Sequence, residues 1–82
     1  MKNINTMDNR KKFQVIVVFN NNDYMQTYFN ATDINEIINH YDGYALEYYN
    51  EETTLVYALD IKDMETNERL AYYYETKKIE YL

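Results

Sequence analysis

The sequence contains no cysteine and no proline, and it has one glycine in 82 residues. Without cysteine, neither a disulfide nor a thiolate zinc site can stabilise the fold. A single glycine also excludes most of the glycine-rich loops that bind phosphate groups. A chain of this length has room for one hydrophobic core and buries only about 60–65% of its unfolded surface. Burial against a partner or a second copy would therefore add stability.

Long apolar runs are missing as well. The longest, residues 15–19, is far shorter than the roughly 20 residues that cross a bilayer, and the first dozen residues lack the apolar core of a signal peptide. We therefore expect a soluble, cytoplasmic protein without a membrane partner, which agrees with the absence of cysteine. Apolar residues make up 46% of the chain and aromatic residues 17%, too much for a disordered acidic tail. We expect the chain to fold.

Basic residues are absent from the middle of the chain. No lysine or arginine occurs between Lys12 and Lys62. Residues 1–12 carry four basic side chains and one acidic one, whereas residues 13–82 carry four basic and thirteen acidic side chains. This distribution predicts a mobile basic tail over residues 1–12 and a single acidic α+β domain over residues 13–82. The gap holds eight carboxylates: Asp23, Asp33, Glu36, Asp42, Glu47, Glu51, Glu52 and Asp60.

The net charge of −6 bears on the kind of partner. An acidic surface attracts basic partners and speeds their association. Direct binding to DNA or RNA needs clustered lysine and arginine, and the only cluster, at residues 10–12, has three members. We expect a basic protein as partner and no direct contact with nucleic acid. The alternative is that the acidity only keeps a tyrosine-rich protein in solution.

Hydrophobic patterning predicts a hairpin followed by one helix. Residues 13–19 are β-branched or aromatic and predict a strand, residues 20–23 suit a tight turn, and residues 24–29 predict the returning strand. The helix is predicted by apolar residues at positions i, i+3, i+4 and i+7: Ile34, Ile37, Ile38 and Tyr41. For its ends we expect Asn30 or Thr32 as N-cap, Asp33 in the first turn and Gly43 as the stop.

Strands are predicted again after the helix, at residues 44–49, 54–61 and 69–75, with a further short edge strand possible at 79–82. The predicted order is ββαβββ in one α+β domain, with residues 79–82 as the alternative of a sixth strand. Its sheet is mostly antiparallel, has four to six strands and carries one helix on one face. A single short helix covers only part of one sheet face. The second face must therefore contact water or a partner.

Tyrosine is abundant, with at least eight of eleven residues lying from Tyr44 onward. Alternation along a strand places Tyr72 and Tyr74 on one face and Tyr73 on the other, so some rings are exposed. Tyrosine fits a half-buried sheet surface, and it is also enriched at binding hot spots. A platform for nucleobases would need a basic surround and the aromatic RNA-reading motif, and neither is present.

Catalytic and metal-binding motifs are not found. His40 is the only imidazole, and near a helix C-terminus it is favourably placed against the helix dipole. His40 with Asp42 would give a metal only two ligands. Residues 63–74 have in part the spacing of a calcium loop, but the required glycine is missing and Tyr74 occupies the position of the bidentate glutamate. We expect no enzymatic activity, no cofactor and no metal.

In size, acidity and lack of proline, the chain resembles small inhibitor proteins carried by phages and mobile elements, a class that includes anti-CRISPR proteins and DNA mimics. The resemblance implies an inhibitor that docks on the basic nucleic-acid-binding surface of a nuclease or other defence protein. Same-face residues on a strand recur about every 6.7 Å. Successive phosphates along one DNA strand lie about 3.4 Å apart, so every second phosphate has nearly the same spacing. Carboxylates on a sheet can therefore imitate alternate phosphates of DNA.

The candidate contact residues for such a partner are acids of the lysine-free stretch together with two tyrosines among them, which suit a basic surface: Glu36, Asp42, Glu47, Tyr48, Tyr49, Glu51 and Glu52. The acids from Asp60 to Glu68 are weaker candidates because Lys62 and Arg69 lie close enough to pair with them. The alternative function is a structural or adaptor domain that forms a homodimer through its open, tyrosine-rich sheet face.

Overall fold

The computed structural model describes residues 10–47 and 53–82, which form one small domain with an open antiparallel sheet and one short helix. The α+β class is therefore confirmed, whereas the order ββαβββ is not: the described residues have the order ββαββββ, because residues 78–81 form a sixth strand. The elements are β1 (Lys11–Phe19), β2 (Tyr24–Ala31), α1 (Ile34–His40), β3 (Ala45–Glu47), β4 (Thr53–Asp63), β5 (Arg69–Tyr73) and β6 (Lys78–Tyr81).

The first strand begins inside the segment predicted to be a tail. Residues 1–9 lie outside the described residues, but Lys11 and Lys12 belong to β1, where they pair with Ala31 and Asn30 of β2. Lysine tolerates this position because each ammonium has a partner beside the strand: that of Lys11 lies 3.4 Å from Asp63 Oδ2, and that of Lys12 lies 4.9 Å from the centroid of the Tyr28 ring.

The strands follow the order β2-β1-β4-β5-β6, and β3 pairs with the N-terminal end of β4. The Leu55 carbonyl accepts a hydrogen bond from the Asn20 amide, while the Val56 amide donates to the Tyr44 carbonyl. Neighbouring residues of a strand direct their backbone groups to opposite edges, so β1 and β3 lie on opposite edges of β4. The long strand β4 is thus the centre of the sheet.

The turn between β1 and β2 lies at residues 20–23, as predicted. The Phe19 amide donates to the Asp23 carbonyl at 2.8 Å, and the Asn22 amide donates to the Phe19 carbonyl at 2.9 Å. Asn22 has a φ of 71°, a left-handed conformation that asparagine tolerates better than most residues. These two bonds also fix which backbone groups of the hairpin face each other.

One face of the sheet forms the core together with α1. Along β1 every second side chain is buried, and the helix adds Ile37, which is fully enclosed. Tyr41 is buried too, and Ile34 and Ile38 pack against the core with partial exposure. The predicted apolar stripe of the helix is therefore confirmed. The most enclosed large side chains are Phe19, Ile37, Leu59, Ile61, Val15 and Val17.

The helix N-cap is Asp33, so the prediction of Asn30 or Thr32 is wrong. The Asp33 carboxylate accepts hydrogen bonds from the amides of Asn35, at 2.9 Å, and Glu36, at 3.3 Å. Asn30 cannot take this role because it is still part of β2. At the other end Gly43 has the predicted left-handed conformation, with a φ of +74°, but the helix itself ends at the C-cap Tyr41, two residues earlier.

Candidate functional site

The face of the sheet opposite α1, here called the uncovered face, carries no element of the described residues. Alternation directs Ile16 and Val18 of β1 to it, and both are only half-buried, unlike Val15 and Val17 beside them. The pairing of the strands shows which residues of the neighbouring strands lie on this same face. Its main side chains are Lys12, Gln14, Ile16, Val18, Tyr24, Gln26, Tyr28, Glu47, Leu55, Tyr57, Asp60, Lys62, Arg69, Tyr73, Lys78 and Glu80.

A β-bulge places one tyrosine on this face. Val18 pairs with Ala58 but Phe19 pairs with Val56, so Tyr57 is the extra residue of β4. Its ring contacts that of Tyr73 edge to face, with ring centroids 5.9 Å apart, a geometry that aromatic pairs favour. The bulge thus gives the uncovered face an aromatic pair that strict alternation would not place there.

Large apolar side chains are exposed across the uncovered face. Tyr24 is 68% exposed, Tyr28 52%, Leu55 50% and Tyr57 42%. The Lys12 ammonium lies 4.9 Å from the centroid of the Tyr28 ring, a distance that allows cation–π attraction. Several exposed large apolar side chains on one face are typical of interaction sites in soluble proteins.

The charges on the uncovered face are nearly balanced. Among residues 10–47 and 53–82, it carries four cations, Lys12, Lys62, Arg69 and Lys78, and three carboxylates, Glu47, Asp60 and Glu80. The Arg69 Nη2 lies 2.7 Å from Asp60 Oδ2, and this hydrogen bond raises the pKa of Arg69. The predicted pairing between the later acids and their basic neighbours is thus confirmed at Asp60. Among the described residues, this face is therefore not predominantly acidic.

The predicted contact residues lie on both sides of the sheet. Glu36 is in the first turn of α1, where its Oε1 accepts hydrogen bonds from the Thr32 hydroxyl at 2.6 Å and the Thr32 amide at 2.9 Å. These bonds lower the pKa of Glu36. Asp42 follows the helix C-cap, whereas Glu47 ends β3 on the uncovered face. The other predicted residues, Tyr48, Tyr49, Glu51 and Glu52, lie outside the described residues.

Aromatic side chains hold the helix on the opposite, covered face. The His40 ring contacts Phe29 and Tyr41 edge to face, with centroids 4.9 and 4.6 Å apart. The Tyr74 hydroxyl donates to the Ile38 carbonyl at 2.6 Å. Burial raises the pKa of Tyr74 well above its usual value, and the nearby charge of Asp42 adds to the effect. Sequence patterning placed Tyr74 on the same face as Tyr72 but carried no signal for its bond to the helix.

A small cleft opens near one end of the covered face, with a volume of about 100 Å³ and walls that include Phe13, Ile34 and Tyr81. Pockets for drug-sized ligands are larger, about 300–1,000 Å³. Among residues 10–47 and 53–82, no group of three or more metal-ligating side chains is close enough to hold an ion. Within the same ranges, no helix has the length and apolar character needed to cross a membrane.

Comparison with known proteins identifies no relative: no protein-family model, no curated protein and no solved structure matches the chain. Function therefore has to be inferred from the uncovered face and from the distribution of charge around it. The face combines exposed rings with balanced charge, and the remaining surface is acidic. These two surfaces suit different partners.

Proposed function

We propose that this protein is a non-enzymatic domain that binds another protein through the uncovered face. One observation carries the proposal: among the described residues nothing covers this side of the sheet, yet it exposes Tyr28, Leu55 and Tyr57. Fully burying an exposed large apolar side chain contributes about 1.5–3 kcal/mol. These three are 42–52% exposed, so a partner that covered the rest of each would gain roughly half of that amount per side chain.

The chemistry of the face indicates a mixed apolar and polar partner surface. In the Asp60–Arg69 pair, one carboxylate and one guanidinium already neutralise each other. The face therefore offers little net charge to attract a partner surface that is strongly acidic or strongly basic. Tyrosine rings bury area while their hydroxyl groups stay hydrogen-bonded. This combination is typical of the centre and rim of protein–protein interfaces.

The test compares two pairs of substitutions that have the same chemistry. After a partner is captured from the native host and purified, its affinity is measured for the wild type and for Leu55→Ser with Tyr57→Ser. Loss of two anchors should weaken binding by about 30-fold or more. The control is Ile79→Ser with Tyr81→Ser, which removes two exposed apolar side chains of β6 that point away from the uncovered face. Equal effects of the two pairs would contradict the proposal.

A second candidate function is an inhibitor that docks on the basic, nucleic-acid-binding surface of a nuclease or other defence protein. Its supporting observation is the charge of the rest of the described molecule, away from the uncovered face. There three cations, Arg10, Lys11 and Lys77, stand against eight carboxylates: Asp23, Asp33, Glu36, Asp42, Asp63, Glu65, Glu68 and Glu75. An anti-CRISPR protein is one form that such an inhibitor can take.

This candidate is tested by the rate of association with a basic partner. Glu51→Lys with Glu52→Lys should slow association about tenfold or more if these acids steer the partner, with the fold intact by circular dichroism. The comparison variant, Glu65→Lys with Glu68→Lys, changes the net charge by the same amount within that acidic surface, at the turn after β4, where basic neighbours make the acids weaker contact candidates. Equal association rates for the two variants would exclude the chosen contact site, and binding indifferent to salt would exclude the mechanism.

A further inference from the structure

The edge of the sheet formed by β2 lacks the usual protection against pairing. Edge strands in soluble proteins are commonly short, charged, bulged or interrupted by proline. The eight residues of β2 include no charge and no proline, and their register with β1 has no bulge. The opposite edge, β6, is four residues long and carries Lys78 and Glu80. The two edges therefore differ in length and in charge, two of the features that limit pairing.

The hydrogen bonds of the hairpin show which groups of β2 point outward. The Phe19 backbone faces β2, since its amide donates to Asp23 and its carbonyl accepts from Asn22. Alternation then directs every second residue of β2 to the free edge: Tyr24, Gln26, Tyr28 and Asn30. Apart from the Thr27 hydroxyl, 3.4 Å from the Tyr28 carbonyl, no described residue bonds to these outward amides and carbonyls.

We propose that β2 pairs with β2 of a second copy of this chain, antiparallel, across a two-fold axis at Thr27. In this register Thr27 lies opposite Thr27 of the second copy, Gln26 lies opposite Tyr28, and Tyr24 lies opposite Asn30. Each of these last pairs exchanges two hydrogen bonds, so all four outward residues of both copies are satisfied. The two sheets become one.

The strand itself favours a second copy as the occupant. Because β2 is uncharged, antiparallel self-pairing places no like charges opposite each other, which would be destabilising. On the covered side Met25 meets Phe29 of the second copy, and both side chains are only half-buried in one chain, so pairing buries them further.

The absence of cysteine allows a direct test of the register. Residues directly opposite in a pair without hydrogen bonds have Cβ atoms about 4.5–5.5 Å apart, close to disulfide geometry. Thr27→Cys should therefore form a covalent dimer under mild oxidation, and wild-type protein should sediment as a dimer at high micromolar concentration. Ile79→Cys, on the β6 edge, is the control. Equal crosslinking of the two variants, no crosslink at Thr27→Cys, or a wild-type monomer would overturn the proposal.

Charge at the two-fold axis gives a second test. Thr27→Lys and Thr27→Glu each place like charges opposite one another. For each variant alone, the dissociation constant of the dimer should therefore rise at least about tenfold. An equimolar mixture should form a heterodimer, which also shows that both variants fold. Persistent homodimers, or failure of the mixture to associate, would overturn the two-fold register. Capture of an extended peptide by a monomeric chain would assign the edge to a different partner and overturn the second copy as its occupant. The uncovered face stays free in this dimer. The dimer can therefore be confirmed or excluded independently of the proposed function.

Discussion

At the scale of single residues, Tyr74 links the sheet to the helix. Carbonyl groups in the last turn of a helix have no partner within the helix, and the Tyr74 hydroxyl satisfies that of Ile38 at 2.6 Å. Its ring also contacts Tyr72, with centroids 4.9 Å apart. One side chain thus supplies both a hydrogen bond and aromatic packing where the helix ends.

We expect Tyr74→Phe to lower the free energy of unfolding by about 1 kcal/mol, because the ring remains while the Ile38 carbonyl loses its donor. Urea denaturation monitored by circular dichroism measures the change. Tyr81→Phe is the control, since Tyr81 is 77% exposed and its substitution should leave stability unchanged. Equal effects of the two substitutions would mean that the bond to Ile38 contributes nothing.

The same residue predicts a loss of stability in alkali. Burial raises the pKa of Tyr74 above its usual value of 10.0, so the folded state holds its proton at a pH where the unfolded state has lost it. The stabilisation is therefore complete below the unfolded pKa and is lost as pH rises above it. Urea midpoints measured across this range should fall more steeply for wild type than for Tyr74→Phe. Parallel curves would contradict the pKa shift as the cause.

At the scale of elements, α1 depends on contacts outside itself. It has seven residues, whereas isolated helices shorter than about 12–15 residues are marginal in water. Asp33 satisfies amides at its start, Tyr74 a carbonyl near its end, and Ile37 anchors its centre. The helix is therefore stable only as part of the covered face.

Ile37→Ala should lower the free energy of unfolding by about 3 kcal/mol, because it removes a fully buried side chain and leaves a cavity between helix and sheet. Asn39→Ala is the matched control on the exposed side of the same helix, and we expect a change below about 0.5 kcal/mol there. Both values come from urea unfolding curves. A small effect at Ile37 would show that the aromatic contacts of His40 and Tyr41 hold the helix without it.

Local sequence patterns predicted the positions of the helix and strands better than they predicted the contacts between these elements. The helix stripe and the hairpin turn depend on residues close in sequence, and both are confirmed. The N-cap was missed because Thr32 and Asp33 are both good caps, and the choice depends on where β2 ends. The position of Tyr57 depends on a bulge, which exists only relative to the register of β1. That register combines residues about 40 positions apart, which no local pattern encodes.

For the candidate site as well, one part could be predicted from the sequence and another part could not. Counting layers predicted an exposed sheet face, and the structure has one. The charge of that face could not be read from composition, because Lys12 and Lys62 meet on it only through the pairing of β1 with β4. Conversely, Glu36 and Asp42 follow the helix to the other side. Charges that are far apart in sequence thus separate into two surfaces only once the strands are aligned.

At the scale of the whole molecule, net charge predicts how the proposed dimer responds to salt. Each copy carries −6, while the paired strands are uncharged, so the main long-range force between copies is repulsion. Added salt screens it, and the dissociation constant of the dimer should fall as ionic strength rises. Sedimentation at low and high salt measures this, and a rise would contradict an uncharged interface. A complex with a basic partner should show the opposite response.

The unequal edges of the sheet also limit how large an assembly can grow. When two copies join through β2, the outer strands of the shared sheet, among the described residues, are β6, which bears Lys78 and Glu80, and the three-residue β3, which ends at Glu47. A third molecule then meets only short, charged borders, so growth stops at two. Head-to-tail joining of β2 to β6 would instead repeat without end and give filaments. The lysine and glutamate of the last strand thereby make the association self-limiting.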